Sequence, residues 1–331
     1  MGKSRLGFAI SVIVAGVLVA VSLRSVNIGE ISAALRQTQP ALIGLAALTL
    51  SGSYLARGVR WRIQVMAAAP ISLLTAFWAT MSSYLANNLL PLRAGEIIRP
   101  LVTSRVAGIR ISYALAAVLV EHIVDIVALV IMSFAASIAQ VTMPVWLHHG
   151  AVVFSLLGFG GITILLLTSR MEHWIGAALL RMPIPIALAN RLREVLRQFT
   201  FGLRSLQSLH DIFGYLGTTI MVWLLDLATG IAVAWALRIP LSWPQMALLL
   251  VALSLTSALP STPANIGVWQ VVAVGILVPF GVMPASAFAY ILVYQVVTYG
   301  VESFWGAIGL LIMTRTYPLL SADLLRKFPS M

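Results

Sequence analysis

Glu121 and Asp125 stand four residues apart inside an apolar run that covers about residues 111–139. At that spacing the two carboxylates share one face of a helix. Asp226 is central in a second run, 212–237, and Glu302 lies well inside a third, 285–313. A carboxylate at bilayer depth costs about 2.5–3.5 kcal/mol on insertion scales, so each of the four should face the protein interior and have a partner. The nearby cations are Arg93 and Arg99, which follow the apolar stretch 71–90, and Arg57 and Arg60 at the end of the run 41–60. Glu121 and Asp125 are expected to pair with some of these arginines. Such a cluster has two readings: an ion pair that only holds one element to another, or a polar site for an anionic headgroup or a coupling proton. His122 is read as a packed, hydrogen-bonded residue rather than a ligand.

The elements that carry these residues follow from composition. The chain has 331 residues, of which 60% are hydrophobic and 9% charged, and its mean hydropathy is +0.99. A soluble domain is about 25% charged, so no core in water could hide this surface. The apolar runs are continuous rather than alternating, which indicates helices and not a membrane barrel. Cysteine is absent, so disulfides and thiolate chemistry are excluded. The net charge of +11 is assigned to a basic membrane face rather than to nucleic acid, because no basic soluble segment exists to carry a nucleic acid. No phosphate-binding loop, G-x-S-x-G or H-E-x-x-H occurs, no metal or cofactor is implied, and the chain is not read as an enzyme.

Six runs are long enough to span a bilayer: 6–23 (read as an uncleaved first span), 41–60, 111–139, 148–168, 212–237 and 285–313. Two further stretches are interrupted. Residues 71–90 end in Asn87-Asn88-Leu89-Leu90-Pro91, and 245–283 contain Pro260, Pro263, Asn265 and Gly267. A broken helix is tolerated at membrane depth only where it lines a cavity or is buried in protein, so both are read as re-entrant hairpins. With both termini cytoplasmic in an inner membrane, this arrangement puts all of the 21 basic residues inside except Arg24, Arg36 and Arg238. The two hairpins then enter from opposite sides. Residues 169–211 read as a cytoplasmic amphipathic connector.

The whole chain thus reads as one integral membrane domain with inverted repeats at about 41–139 and 212–313. Gly108, Ala114, Ala116, Leu119 and Val120 align without gaps on Gly281, Ala287, Ala289, Leu292 and Val293, and Leu90-Pro91 with Gly95 corresponds to Leu259-Pro260 with Gly267. Transporters use such duplications, with the site near the midplane.

Three motifs, in order, resemble a known family. Asn87-Asn88-Leu-Leu-Pro91-Leu-Arg93-Ala-Gly95-Glu96-Ile-Ile-Arg99 resembles the Pro-x-Arg-x-Gly-Glu hairpin of the flippase-like family, which includes the transmembrane region of lysylphosphatidylglycerol synthases. Glu121-His122-Ile-Val-Asp125 resembles its Glu-Arg-hydrophobic-hydrophobic-Asp motif, and Pro260-Ser-Thr262-Pro263-Ala-Asn265-Ile-Gly267-Val-Trp-Gln270 its second hairpin. The resemblance covers about 5–313. It does not extend to the soluble aminoacyl-transferase domain, so lipid aminoacylation is not implied.

Membership would imply an all-α polytopic protein that binds or translocates an amphiphilic lipid, with an anionic-headgroup or a polyprenyl or glycosylated lipid as partner. Arg93 and Arg99 would contact the headgroup, Glu96, Glu121 and Asp125 would position them or exchange protons, and Asn87, Asn88, Thr262 and Asn265 would add hydrogen bonds. Gln270 and Gln295 stand where the family usually has an acid and a base. Those two positions are expected to be partners, and the second half to be the neutral one. A secondary transporter of a small solute and an enzyme acting on a polyprenyl-phosphate lipid are the alternatives. The oligomeric state is left open, a homodimer included.

Overall fold

The computed structural model describes residues 28–89, 95–139, 208–258 and 262–317, together with isolated positions between 145 and 190. The run 6–23, Arg93, His148, most of the run 148–168 and almost all of the connector 169–211 lie outside the described residues.

All described elements are helical. A short helix α1 (Ile28–Arg36) precedes α2 (Pro40–Met66), α3 (Leu73–Leu89), α4 (Gly95–Ala107) and α5 (Ile111–Ile138). The second series is α6 (Leu209–Ala236), α7 (Trp243–Ala258), α8 (Val268–Leu277) and α9 (Pro284–Thr316), with single 3₁₀ turns at Pro263–Asn265 and Val278–Phe280. Helices α2, α5, α6 and α9 are long and apolar enough to cross a membrane. They match the expected runs 41–60, 111–139, 212–237 and 285–313.

Local chemistry fixes the helix ends. Pro40 and Pro284 open α2 and α9, where a missing N–H costs nothing. Ser208 caps α6 by accepting from the Asp211 N–H at 3.0 Å, with Asp211 in the first turn facing the positive helix end. Gly108 and Gly281 both have positive φ, +66° and +85°. Each lies just before the last long helix of its series, at the two positions that the sequence comparison pairs.

Both series run long, short, short, long: 27, 17, 13 and 28 residues, then 28, 16, 10 and 33. The first long helices, α2 and α6, pack along their lengths. Gln39 N–H donates to Ala236 O at 3.0 Å, Thr49 and Thr229 hydroxyls meet at 2.8 Å, and Gln64 Nε2 reaches Tyr215 OH at 3.3 Å. Numbers rise on α2 as they fall on α6, so the pair is antiparallel. The remaining packing is reciprocal. The last long helix of each series lies against the first short helix of the other: α9 on α3 and α5 on α7. Within each series the two short helices pack on each other, and the second packs on the last long one.

The core explains this order. Residues 246–253 of α7 are buried on every face, as expected of a helix apolar all round and enclosed by protein. Helix α3 is enclosed by contacts too close for larger side chains. A Cβ on Gly306 would come within 2.8 Å of Met81 O, and one on Gly95 within 2.0 Å of Ser83 O. The long helices turn residues such as Leu48, Phe134, Phe213, Val296 and Phe304 outward, an apolar exterior suited to lipid.

Two boundaries differ from the sequence expectation. Helix α2 continues six residues beyond the expected end, so Arg57 and Arg60 sit in its body instead of at a cytoplasmic end. The first interrupted element is longer than 71–90, because Arg99 lies on the second arm, α4, and is buried. The reason is the same in both cases. These guanidinium groups are matched by carboxylates on neighbouring helices, so they do not need to reach water.

Candidate functional site

Arg60 is the centre of the charge network. Its side chain is 0% exposed and lies between α2, α5 and α6. Nη1 donates to Asp125 Oδ1 at 2.7 Å and Nη2 to Asp125 Oδ2 at 3.0 Å and Glu121 Oε1 at 2.7 Å. Nη1 also approaches Thr219 Oγ1 at 3.4 Å. The four-residue spacing on α5 lets both carboxylates reach one planar fork, a geometry that favours Arg over Lys.

Arg99 approaches Glu121 from α4. Its Nη2 donates to Oε2 at 2.8 Å, and Nη1 lies 3.4 Å from Oε1. The guanidinium carbon sits 4.4 Å above the centre of the Trp61 ring, a cation–π arrangement. The indole is held in place by its own N–H, which donates to Thr103 Oγ1 at 3.0 Å. Glu121 is thus shared by two arginines from two different elements, and it fastens the α4 arm to both α2 and α5. A separate pair, Arg57 Nη2 to Asp226 Oδ2 at 2.7 Å, closes the antiparallel α2–α6 seam.

Beside this network lies a cavity of about 290 Å³, near the small end of ordinary ligand pockets. Every helix from α2 to α9 contributes to its wall. Its lining is polar at Asn87, Glu96, Arg99, Glu121, His122, Asp125, Arg57 and Asp226. It is apolar or aromatic at Leu250, Leu253, Trp223, Trp269 and Tyr294, and Ser254, Ser257, Thr298 and Glu302 also line it. Trp269 is fixed by its N–H donating to Ser257 Oγ at 2.8 Å. The wall is therefore both hydrogen-bonding and aromatic.

The expected site residues fall into three groups. Glu96, Arg99, Glu121, Asp125 and Asn87 are brought together at the cavity. Asn88 lies next to them and donates to Glu302 at 2.7 Å. Thr262, Asn265, Gln270 and Gln295 belong to a separate cluster, outside the residues that line the cavity. There Gln270 Nε2 donates to Gln295 Oε1, Gln270 Oε1 accepts from Gly267 N–H at 2.7 Å, and Gln295 Nε2 donates to Ala264 O at 3.3 Å. Thr262 Oγ1 donates to Ile266 O at 2.6 Å and shapes the same loop, in which Asn265 has a φ of +52°. Gln270 and Gln295 are thus partners, as expected. His122 Nδ1 lies 3.0 Å from Val118 O, and its Nε2 is 3.6 Å from Glu96 Oε2.

Sequence reasoning weighed Arg57 and Arg60 as cations and Asp226 and Glu302 as buried acids, yet assigned none of them to the site. It gives no site role to Trp223, Trp269 or Tyr294. The signal for the first four was present, since charges inside apolar runs need partners. The aromatic lining gave no signal, because Trp and Tyr are common in any membrane helix.

Comparison with known proteins gives the same frame. The family profile described as the lysylphosphatidylglycerol synthase transmembrane region matches residues 7–306. A "UPF0104 membrane protein" of Methanothermobacter thermautotrophicus is 25% identical over 285 residues, covering 81% of this chain and 82% of the relative. A protein of Haloferax volcanii named "Glycosyltransferase AglD" is 24% identical over 320 residues, covering 84% of this chain and 50% of that protein. No solved structure matches the chain.

Proposed function

The chain belongs to the lysylphosphatidylglycerol synthase transmembrane-region family, and from that premise we propose that it binds an amphiphilic lipid at the cavity and moves it across the inner membrane. It does so without covalent chemistry, as a multi-pass protein with both termini cytoplasmic. The observation that carries this reading is the cavity itself. Its lining combines hydrogen-bonding and aromatic side chains at a point where both helical series meet. A headgroup fits the polar lining, and tails can leave between outward apolar helix faces.

The two series act as inverted repeats, α2–α5 and α6–α9, and each short pair is a re-entrant hairpin. The antiparallel α2–α6 seam and the reciprocal packing support this arrangement. Cysteines placed at Arg105 and His148 of this cysteine-free chain should then label from opposite sides of the membrane. Labelling from one side would remove the topology.

The charge balance narrows the headgroup. Arg57 and Arg99 face the cavity but are already matched by Asp226 and Glu121. A bare anion would have to compete with those carboxylates. A hydroxyl-rich or glycosylated headgroup can instead use Asn87, Ser254, Ser257, Glu96 and Arg99 as hydrogen-bond partners. Native mass spectrometry of the purified chain would identify the retained lipid, and replacing Asn87 and Ser257 with Ala should release it. Retention of the same lipid by that variant would place it elsewhere. The name of the Haloferax relative favours one second reading, sugar transfer from a lipid donor. Sugar released to an acceptor by the purified protein would establish that reading in place of transport.

A further inference from the structure

Glu302 differs from the three carboxylates that hold arginines, and from Glu96, which has His122 Nε2 at 3.6 Å. Glu121, Asp125 and Asp226 each meet a guanidinium within 3 Å. Glu302 is 7% exposed, lines the cavity, and has no cation within 4 Å among the described residues. Its two oxygens meet neutral donors only. Tyr54 OH donates to Oε1 at 2.6 Å, and Asn88 Nδ2 donates to Oε2 at 2.7 Å. The neighbours that bear on its charge come from each helix packed on α9. They are Tyr54 and Arg57 on α2, Tyr84 on α3 and Asp226 on α6; α8 has no titratable side chain. Glu30 and Arg36 are on α1, which packs through Ile31 at the other end of α9, by Ala285 and Phe288. On α9 itself are Tyr290, Tyr294, Tyr299 and Arg315. Arg57 is the cation of this set whose charge acts on Glu302, and Asp226 already holds it.

We propose that Glu302 is a proton-binding site and that the proton it takes up releases Asn88. Asn88 occupies the last turn of α3, immediately before the break between the hairpin arms. With Glu302 ionised, its carboxylate ties that turn to α9 and, through Tyr54, to α2. A proton arriving from the cavity forms an O–H bond on Oε2 and removes the charge. That oxygen then presents a donor to the Asn88 amide N–H₂, which is also a donor. The contact is lost and the last turn of α3 is free to move. An ionised carboxylate at this depth without a countercharge is costly, so the neutral form is within reach. Carrying the repeat alignment forward from Gly108 and Gly281 sets Leu129 opposite Glu302, and both line the cavity. The latch therefore belongs to one half only. The inference rests on the reading of the cavity as a membrane-depth site, but not on lipid movement.

The test uses the full chain in lipid nanodiscs with no added cargo. Infrared difference spectra between mildly alkaline and mildly acidic buffer should show the carbonyl stretch of a protonated carboxyl. That band should be lost in Glu302→Gln and kept in Glu30→Gln. Spin labels at Leu89→Cys and Val296→Cys, both on the apolar exterior, report the distance between the hairpin tip and α9. The distance should lengthen in acid, be long at every pH in Glu302→Gln, and be long at every pH in Asn88→Ala while the band still titrates. Absence of a band that depends on Glu302 overturns the site. A titrating band with an unchanged distance means that Asn88 merely turns its amide over, and overturns the latch. A distance that follows sodium at fixed pH, without the band, replaces the proton with a metal cation. A chain that passes these tests but moves no lipid would defeat the transport reading alone.

Discussion

The two halves fasten their short helices to their last long helix in different ways. In the first, α4 is held to α5 by Arg99 and Glu121, and Arg60 adds a second guanidinium from α2. In the second, α8 is held to α9 by two glutamine amides, Gln270 and Gln295, with Ala264 O as the outer acceptor. Ionic and neutral hydrogen bonds thus do the same mechanical task between corresponding helices. They differ in what they permit. Charged hydrogen bonds are stronger, but each buried charge ties its partner in place, since losing one strands the other. An amide pair is weaker and carries no such penalty. The cavity lies against the ionic lock, and the amide lock lies outside its lining. The ionic lock is thereby the one that borders the cavity.

Several substitutions would break or sharpen this contrast. The largest effect should come from Arg60→Leu, which leaves Asp125 and part of Glu121 uncompensated. A loss of about 3–5 kcal/mol is expected, and thermal unfolding in detergent would measure it. Adding Asp125→Leu should recover most of the loss; a double variant as unstable as the single one would mean that Arg60 acts through packing alone.

Next in size is Gln270→Glu. A buried carboxylate facing Gln295 should cost about 2.5–3.5 kcal/mol, with Gln295→Arg in the same chain restoring part of it. Neutral behaviour of Gln270→Glu would end the contrast between locks. Arg99→Gln should lose about 1.5–3 kcal/mol, the range for a hydrogen bond to a charged group. A double-mutant cycle with Trp61→Leu should then yield a coupling of about 0.5–2 kcal/mol for the cation–π contact. Strict additivity would assign the Trp61 contribution to packing. The smallest effect belongs to the seam the halves share. Thr49→Val removes one side of the Thr49–Thr229 contact and should cost about 0.5–1.5 kcal/mol, with both locks unaffected in the cycles above.

How much of this was legible follows from which residues are local in their consequences. Glu121 and Asp125 announce a shared partner by spacing alone, and Gly108 and Gly281 announce matching turns by their place before an apolar run. The interruption at Asn87–Pro91 announces a break. Arg60 was harder. At the end of a hydrophobic run, an arginine reads equally well as a cytoplasmic flank, and only the continuation of α2 to Met66 puts it in the core. Glu302 was visible as a charge in the wrong place, but its neutral partners come from Tyr54 and Asn88, more than two hundred residues away.

The sequence by itself determined that the chain lives in a membrane, which runs can span it, where helices must break, and that buried carboxylates require partners. These follow from hydropathy, from backbone hydrogen bonding and from the cost of charge, all of which act on short stretches of chain. The tertiary structure alone decided which partner each acid received. It set Arg60 between Glu121 and Asp125, gave Asp226 to Arg57, and left Glu302 with neutral donors. It also decided that Trp223, Trp269 and Tyr294 would line the same cavity as the ionic network. Pairing is a matter of which helix faces meet. Apolar helix surfaces of similar composition look alike in sequence, and only their packing in three dimensions tells them apart.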